Sequence, residues 1–587
     1  MRKQSMMQVN IKLIKVGVVC ISLFYSFEAL SAPSAPDAGT QLNTVRPSPQ
    51  QPPAKPAENL INAPQENRPV MRANPDLRAV INHVRFSGVK AFSEQVLQEL
   101  VADKIGKELN FSDLTDIAGL VTKYYRDHGY LVARAYIPEQ PLTDNTVEIA
   151  VLEGLLGQVK PNYKTAGPKI SDERLRSFVR GAIPEGAAIT VPQLERALLL
   201  ENELPNTKAI ATLVPGSSVG TSDLVLEATQ QGWFSNDTLE MDNSGSRYSG
   251  VGRYGGTVNL ASPAGLGDQL SARVLTSFDG FNYGRVSWTT PMGGKGLKVG
   301  VAETYSNYTL GGPFQASGLK GSSQVSSLFA VYPYVRSRFF NLYQTVTVEN
   351  KSLYNTANAG VVSDKRIQDF ALGVNGDDYD SWLGGGLSSF SATFTGGNVD
   401  LSHNAIDASN DIATAKTAGN YGKFLLQLMR QQRLSDRWVL YASATDQICN
   451  KNLDSSESLG FGGPTAVRAY PVGEAPADEG LLATLELRYN TVAPLNLGAL
   501  QYQIFYDYGS VQLHHNTWAT FQSSGLPNNY HLKGAGLGVN IYKQNSYLAS
   551  AALATKIGQN PNPGINGTDT DGKSSSTRLW LQFAWYW

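Results

Sequence analysis

After residue 231 the chain alternates apolar and polar residues in short segments separated by turn residues. The C-terminal segment is the clearest case, since Leu579, Leu581, Phe583 and Trp585 share one face while Arg578 lies on the other. A period of two is that of a β-strand with one apolar and one polar side. The pattern predicts sixteen strands, which begin near residues 232, 252, 268, 282, 298, 324, 338, 365, 386, 420, 438, 479, 501, 529, 546 and 574.

The connections between these predicted strands differ in length. Those after even-numbered strands are generally short, as at Ser435-Asp436-Arg437, and those after odd-numbered strands are mostly longer, up to the loop 451–478. Short turns on one side and long loops on the other are typical of outer-membrane barrels. No segment after the N-terminal leader approaches the ~20 continuous apolar residues of a spanning helix. Residues 231–587 are therefore predicted to form a mainly β, sixteen-stranded outer-membrane barrel, with a large soluble sandwich or β-helix as the alternative.

Two zones before the barrel, residues 76–157 and 158–230, each show the order strand, helix, helix, strand, strand. In the first zone Ser93 and Ser112 are candidate N-caps, because a hydroxyl oxygen accepts a hydrogen bond from the free N–H groups of a first turn. Thr190 has the same place in the second zone. The repeated order predicts two small α/β modules of one type.

Residues 1–32 have the order of a secretory signal peptide: basic residues, an apolar stretch from about Val16, and small residues before Ala32. A membrane anchor is a weaker alternative because the apolar stretch is short. A lipoprotein is weaker because Cys20 lacks the preceding small residue that such processing needs. Residues 33–75 are rich in proline and cannot bury a core, which predicts an extended or mobile linker.

Composition narrows the class of protein further. Only 17 % of the residues are charged and 42 % are hydrophobic, which excludes a polytopic helical membrane protein. The net charge of −1 gives no basic surface for nucleic acid. Of the two cysteines, Cys20 falls in the predicted leader, so Cys449 has no partner for a disulfide within the mature chain.

The longest predicted loop contains Gly462-Gly463-Pro464 followed by Val467-Arg468-Ala469-Tyr470-Pro471. This segment resembles the Val-Arg-Gly-Tyr signature in the sixth extracellular loop of the BamA–TpsB superfamily of outer-membrane transporters and assembly factors. Phe505-Tyr506-Asp507-Tyr508-Gly509 is similar to the superfamily's Phe-x-Asp-x-Gly on the thirteenth strand, and Glu486-x-Arg488 to its pattern on the twelfth. The departure is Ala469, where the superfamily motif has glycine.

Two further motifs agree in order along the chain. Asp242-Asn243-Ser244-Gly245 resembles the first-hairpin signature of the superfamily, and Gly129-Tyr130 with Ala135-Tyr136-Ile137-Pro138 is similar to its POTRA (polypeptide-transport-associated) modules. The residues after the loop motif, Gly473-Glu474-Ala475, look closer to the two-partner secretion transporters, the TpsB type that secretes haemolysins and filamentous haemagglutinin. The resemblance covers nearly the whole mature chain.

The resemblance implies that an unfolded, TpsA-like partner exoprotein, haemolysin- or adhesin-like, moves from the periplasm to the cell surface. It implies two periplasmic POTRA modules that capture this client, a barrel in outer-membrane lipid, and the barrel-assembly machinery for the transporter's own insertion. Gly293-Gly294-Lys295-Gly296 lacks the hydroxyl residue of a P-loop, so ATP is not expected to drive the protein directly. No catalytic residue, cofactor or metal is assigned.

In the transporters it resembles, the sixth loop folds into the barrel and its arginine meets the aspartate of the thirteenth strand. The resemblance assigns these roles to Arg468 and Asp507. The strand alternation independently puts Asp507 on the polar, lumen-facing side. In a wet pore the pair is expected to contribute about 0–1 kcal/mol, and more if shielded; two separately solvated charges are the alternative. Further motif residues are expected to face the lumen: Glu486, Arg488, Phe505 and Gly509.

Other functions remain open from the sequence. Insertion of barrel proteins, as by BamA, is the sister activity, but two modules and a Pro-rich linker favour secretion; a solute porin is disfavoured by the modules. An outer-membrane hydrolase would use His514-His515 or His403, none of which lies in a nucleophile motif. A metal site would use His514-His515, although adjacent histidines are more often simply solvated. Asp569-x-Asp571-Gly572 is a turn rather than a calcium loop. Asp37–Thr44, which holds Gly39, does not convincingly predict the N-terminal plug helix that many such transporters carry.

Overall fold

The structure is a computed structural model that describes residues 35–45, 60–62, 78–165, 170–564 and 567–587. The predicted signal peptide lies outside the described residues, as does most of the predicted linker. Two pieces of the linker are described, helix α1 (Ala38–Asn43) and strand β1 (Ile61–Asn62). Among the described residues, no helix is long and apolar enough to cross a membrane.

The first module packs two helices on small sheets. Its elements are β2 (Arg78–Ile81), β3 (His83–Ser87), α2 (Glu94–Val101), β4 (Lys107–Asn110), α3 (Phe111–Asp127), β5 (Arg134–Tyr136) and β6 (Thr146–Leu152). One sheet has the order β3-β6-β5, and β2 pairs with β4. Asn110, not the predicted Ser112, caps α3, because its side chain and that of Asp113 each accept a hydrogen bond from the other's backbone N–H.

The second module has its own four-stranded sheet. Its elements are β7 (Leu155–Thr165), α4 (Asp172–Ala182), α5 (Val191–Asn202), β8 (Thr207–Pro215) and β9 (Thr221–Gln230). The sheet order is β1-β8-β9-β7, so a linker strand that the sequence did not predict adds to the β8 edge in parallel. Thr190 lies at the N-cap of α5, but its hydroxyl bonds the Gln193 side chain rather than the backbone.

The remaining strands form a closed antiparallel barrel, which confirms the predicted mainly β fold with sixteen strands. They are β10 (Thr238–Asp242), β11 (Arg253–Ala261), β12 (Gln269–Thr276), β13 (Phe281–Met292), β14 (Leu297–Thr309), β15 (Lys320–Arg336), β16 (Phe340–Ala357), β17 (Gly360–Asp380), β18 (Gly386–Asp400), β19 (Gly419–Arg433), β20 (Trp438–Cys449), β21 (Glu479–Val492), β22 (Ala499–Gln512), β23 (Asn529–Lys543), β24 (Tyr547–Lys556) and β25 (Thr577–Tyr586). Strand β10 pairs with β25 and closes the barrel. Loop helices α6 (Ala405–Ala413) and α7 (Ala519–Ser523) follow β18 and β22.

The alternation along β22 sets which side chains reach the lumen. Tyr502 and Ile504 point outward and are 51 % and 61 % exposed, whereas Phe505 and Asp507 point inward and are buried. The same alternation leaves Trp585 of β25 exposed on the outer face. Apolar outward faces match a barrel that sits in lipid, because a charge there is costly and a charge in the lumen is not.

The second module is joined to the barrel at the turns that follow β13 and β15. The Glu203 carboxylate, just after α5, accepts hydrogen bonds from Lys298 at 2.9 Å and Arg336 at 2.6 Å. Glu195 pairs with Arg338 at 2.7 Å. Burial opposes the charge of Glu203, but the two cations together hold the pKa of its carboxyl below the usual range. These ion pairs attach the second module to one end of β14 and β15.

Candidate functional site

The sixth loop, residues 450–478, leaves β20 and folds back inside the barrel before entering β21. Its fold is held by short backbone pairings, one between Leu459 and Ala477 and one between Gly462 and Val467. Phe461 and Val467 are fully buried against the inner faces of the last strands. The motif of this loop is therefore presented to the barrel wall rather than to solvent.

Arg468 and Asp507 are joined by three hydrogen bonds. Arg468 Nε donates to Asp507 Oδ2 at 2.8 Å, Nη2 donates to Oδ1 at 2.7 Å, and the Arg468 backbone N–H donates to Oδ2 at 3.1 Å. Thr484 adds a hydroxyl donor to Oδ1 at 3.0 Å. Arg468 is 7 % exposed and Asp507 0 %, so the pair is shielded from water. A two-pronged, buried ion pair of this kind is geometrically specific.

A second carboxylate completes the surroundings of Arg468. Glu486 on β21 lies 2.8 Å from Arg468 Nη1, and its other oxygen lies 2.5 Å from Arg488. The Phe505 ring lies under the guanidinium, with its centroid 3.4 Å from Arg468 Cζ, a cation–π contact. Arg488 stacks in the same way on Tyr441. The structure thus brings the predicted lumen residues of β21 and β22 into one cluster around Arg468.

The small residues of the motif make room for the loop. A side chain at Gly509 would meet the Phe461 ring at 2.9 Å, so glycine lets the loop approach β22. Ala469 is fully buried and its methyl group lies over Gly534, where an added Cβ would be 2.7 Å away. The backbone at Ala469 does not have the positive φ that favours glycine. Alanine therefore fits at the position where the superfamily motif has glycine.

The rest of the motif is also fixed in place. Tyr470 is fully buried, and Lys556 Nζ lies 5.0 Å from the centroid of its ring. Pro471 packs so closely on Gly462 that an added Cβ there would lie 2.0 Å from the Pro471 carbonyl oxygen. Trp580 on β25 donates its indole N–H to the Arg468 carbonyl at 2.7 Å, a contact that the sequence analysis missed.

A second buried cluster holds an earlier part of the sixth loop. Glu457 accepts from Lys351 at 2.5 Å and pairs with Lys423 at 2.9 Å, and Lys351 also pairs with Asp369 at 2.7 Å. Asp454 nearby is buried and pairs with a further lysine of β17. These residues were not predicted from the sequence. The sequence feature that could have indicated this cluster is Lys351 in the middle of β16, because a charged side chain at such a position is costly unless it faces the lumen.

Helix α1 lies inside the barrel beside the sixth loop. Asp37 caps the helix and accepts a hydrogen bond from the Ser455 hydroxyl at 2.6 Å. The Ala38 backbone N–H donates to Asn355 of β16 at 3.0 Å. The sequence did not convincingly predict this helix, since Gly39 disfavours one. Here the missing side chain lets the helix reach the loop, because a Cβ on Gly39 would lie 2.4 Å from Ser455 Oγ.

Family models match the first module and most of the barrel. The model described as POTRA domain, ShlB-type, matches residues 79–154. The model described as haemolysin secretion/activation protein ShlB/FhaC/HecB matches residues 220–541, more than half of the chain. The chain belongs to this family.

Known proteins resemble this ShlB/FhaC/HecB family member over nearly its full length. The heme/hemopexin transporter protein HuxB of Haemophilus influenzae is 25 % identical, over 92 % of this chain and 94 % of HuxB. The outer membrane transporter CdiB of Dickeya dadantii is 23 % identical, over 89 % of this chain and 92 % of that protein. The solved structure of CdiB from Escherichia coli has a TM-score of 0.68 at 19 % identity, over 89 % and 93 % of the two chains, which shows a shared fold.

The family confirms the resemblance to two-partner secretion transporters and the predicted location. The protein is an outer-membrane barrel with POTRA modules in the periplasm. Its transport function is that of a secretion transporter in this family.

The residues considered for other chemistry have structural partners in this family member. The His514 ring packs against Trp518, and His403 lies 3.8 Å from Asp400. Asp569, in the segment that the sequence analysis read as a turn, is fully buried between Lys556 and Arg578, at 2.6 and 2.7 Å. These cations neutralise the carboxylate that a calcium ion would need.

Proposed function

We propose that this protein translocates an unfolded TpsA-like partner exoprotein, haemolysin- or adhesin-like, through its barrel to the cell surface. The observation that carries the proposal is the buried attachment of the sixth loop at two parts of the barrel wall, through Arg468 to Asp507 and through Glu457 to Lys351. Helix α1 packs against the same loop. Polar contacts contribute to both attachments, through Arg468 for the loop and Asp37 for the helix, and an extended client chain offers hydrogen-bonding groups that can replace them.

The client is proposed to meet the POTRA modules first. Strand β1 supports this step, because its two residues already lie in parallel along the edge of β8. The Ala211 backbone N–H donates to the Leu60 carbonyl at 2.9 Å. This edge accepts an extended segment of the linker, and the client is proposed to pair there by β-augmentation in place of that segment.

Arg468 is proposed to latch the loop. Its guanidinium is bound by Asp507 and Glu486 on neighbouring strands, so one side chain ties the loop to both. Removing a partner from a buried ion pair costs about 3–5 kcal/mol, because the remaining charge is left unpaired. The loop is therefore held in one position until a client replaces its contacts.

Two further partners are proposed, the lipid of the outer membrane and the barrel-assembly machinery. Outward residues such as Ile504 and Trp585 are apolar and suit outer-membrane lipid. Insertion of such a barrel into lipid is proposed to use the barrel-assembly machinery. Passive threading needs no catalytic residue, cofactor or ATP.

The test is co-expression with a large exported protein of the TpsA type, sought first among the genes beside that of this chain, followed by assay of that protein in the medium and in the periplasm. We compare the wild type with Arg468→Ala and with the control Arg433→Ala, whose side chain is 61 % exposed at a turn. The client is expected in the medium with the wild type and the control, and in the periplasm with Arg468→Ala, while all three barrels assemble.

A client that stays in the periplasm beside an intact wild-type barrel contradicts the proposed secretion. In that case the abundance of other barrel proteins is measured in cells that lack this chain. A general loss of those proteins indicates a BamA-like insertion activity instead.

A further inference from the structure

Three residues with different metal-binding atoms converge where the sixth loop joins the barrel wall. Cys449 ends β20, Glu479 begins β21, and His515 lies in the loop between β22 and β23. One ligand atom from each residue lies within 4.8 Å of the other two. The first two residues flank the sixth loop, so the cluster sits at its neck.

The three side chains are held together by hydrogen bonds. Glu479 Oε1 accepts from the Cys449 backbone N–H at 3.0 Å and lies 2.9 Å from His515 Nδ1 and 3.6 Å from Cys449 Sγ. Cys449 Sγ donates to the Lys451 carbonyl at 3.0 Å. The His515 backbone N–H donates to Asp478 at 3.0 Å, which fixes its loop. The donor atoms are therefore preorganised on three separate segments.

We propose that Cys449, Glu479 and His515 form a Zn²⁺ site. A thiolate, an imidazole and a carboxylate are the ligands that Zn²⁺ takes in tetrahedral sites, whereas Ca²⁺ and Mg²⁺ prefer oxygen alone. Zinc–ligand bonds of about 2.0–2.3 Å bring ligand atoms to about 3.3–3.8 Å from each other. The observed separations reach this geometry with small side-chain rotations.

Proton balance and access are compatible with this site. Binding releases the Cys449 thiol proton to solvent, and His515 binds through Nδ1 with its proton on Nε2. The side chains of His515 and Glu479 are 31 % and 17 % exposed, so an ion reaches them from outside, and water takes the fourth position. A bound ion links both ends of the sixth loop to the loop after β22.

The test uses the full protein, purified from outer membranes in detergent and stripped with EDTA, with Co²⁺ and Zn²⁺ as probes. Co²⁺ is expected to give a thiolate-to-metal charge-transfer band that one equivalent of Zn²⁺ removes. Zn²⁺ is expected to slow alkylation of Cys449 by iodoacetamide, read on its peptide by mass spectrometry, by at least about tenfold.

Variants separate the site from adventitious binding. Cys449→Ser is expected to abolish the charge-transfer band, because it removes the thiolate. His515→Gln is expected to weaken Zn²⁺ binding by at least about tenfold, since mutation of even a residue that only supports a metal ligand typically costs about 10–100-fold in affinity. His403→Gln, which removes an exposed histidine elsewhere, is expected to change neither readout. The mobility of each unheated variant on a gel shows whether its barrel is folded.

Absence of the band in the wild type overturns the proposal, as does equal protection of Cys449 by Zn²⁺ in the wild type and in His515→Gln. The readouts do not depend on secretion, so this outcome leaves the proposed transport function unaffected.

Discussion

Lys351 and Glu457 form an ion pair of 2.5 Å inside the barrel, and each residue is 1 % exposed. Lys351 projects from the wall and Glu457 belongs to the sixth loop, so the pair fixes the loop far from its Arg468 motif. Two charges that are removed from water this completely are stable only while they are paired. The loop is therefore attached at both of its halves.

Lys351→Met is expected to destabilise the folded barrel by about 3–5 kcal/mol, because Glu457 and Asp369 then face each other without this cation. The measurement is the temperature at which the detergent-solubilised barrel loses its folded mobility on a gel. Lys320→Met, at an exposed position of β15, is the matched control and is expected to have little effect. Equal unfolding temperatures of the wild type and Lys351→Met contradict a stabilising attachment of the sixth loop through Glu457.

Exchange of charges tests the pair of Arg468 and Asp507. Arg468→Asp and Asp507→Arg are each expected to abolish secretion, because each leaves like charges facing one another, and the double variant is expected to restore part of it. Arg468→Lys is expected to fail as well, since lysine cannot give the forked contact to Asp507 while also reaching Glu486. The readout is client in the medium relative to the periplasm. Normal secretion by each single variant shows that the pair has no functional role.

Gly39→Ala is expected to displace helix α1 and raise the conductance of the barrel in planar lipid bilayers. The added Cβ would lie 2.4 Å from Ser455 Oγ and 2.6 Å from the Ser456 backbone nitrogen, distances that the sixth loop must relieve by moving. Gly460→Ala is the matched control, because no atom lies within 4 Å of its added Cβ. Unchanged conductance of Gly39→Ala means that the helix does not close the lumen.

Glu201 is expected to make the stability of the second module depend on pH. It is fully buried in α5, neither carboxylate oxygen has a hydrogen-bond partner among the described residues, and burial raises the pKa of its carboxyl well above the usual range. The folded module therefore keeps the proton that the unfolded chain releases above its ordinary pKa. Stability is greatest below that value and falls by about 1.4 kcal/mol per pH unit as pH rises toward the folded-state pKa.

Hydrogen exchange of α5 in the full protein checks this prediction between pH 5 and 8, after correction for intrinsic exchange rates. Protection is expected to fall with pH in the wild type and to stay level in Glu201→Gln. Glu185→Gln, at an exposed position of the same module, is expected to follow the wild type. Protection that does not change with pH in the wild type contradicts a buried, protonated Glu201.

Patterns between near neighbours were readable from the sequence. Alternation predicted sixteen barrel strands and put Asp507 in the lumen, because the side of a strand that a residue faces depends only on its position along that strand. The helices of the modules were also predicted from local signals such as candidate N-caps, although the cap of α3 was placed at Ser112 rather than Asn110. The motif supplied Arg468, because the resemblance had already joined two distant segments.

Closure of the barrel decided where helix α1 forms and which distant residues come into contact. Helix α1 is a poor helix by sequence, and it forms where the wall and the sixth loop surround it. The pairs of Lys351 with Glu457 and of Glu479 with His515 join residues far apart in the chain. The sequence by itself determined strands, faces and the transporter class, because periodicity and motifs are local. Which charges of the sixth loop meet which charges of the wall was decided only by the tertiary structure, since closure of the barrel brings distant segments together and a buried charge is stable only when it is paired.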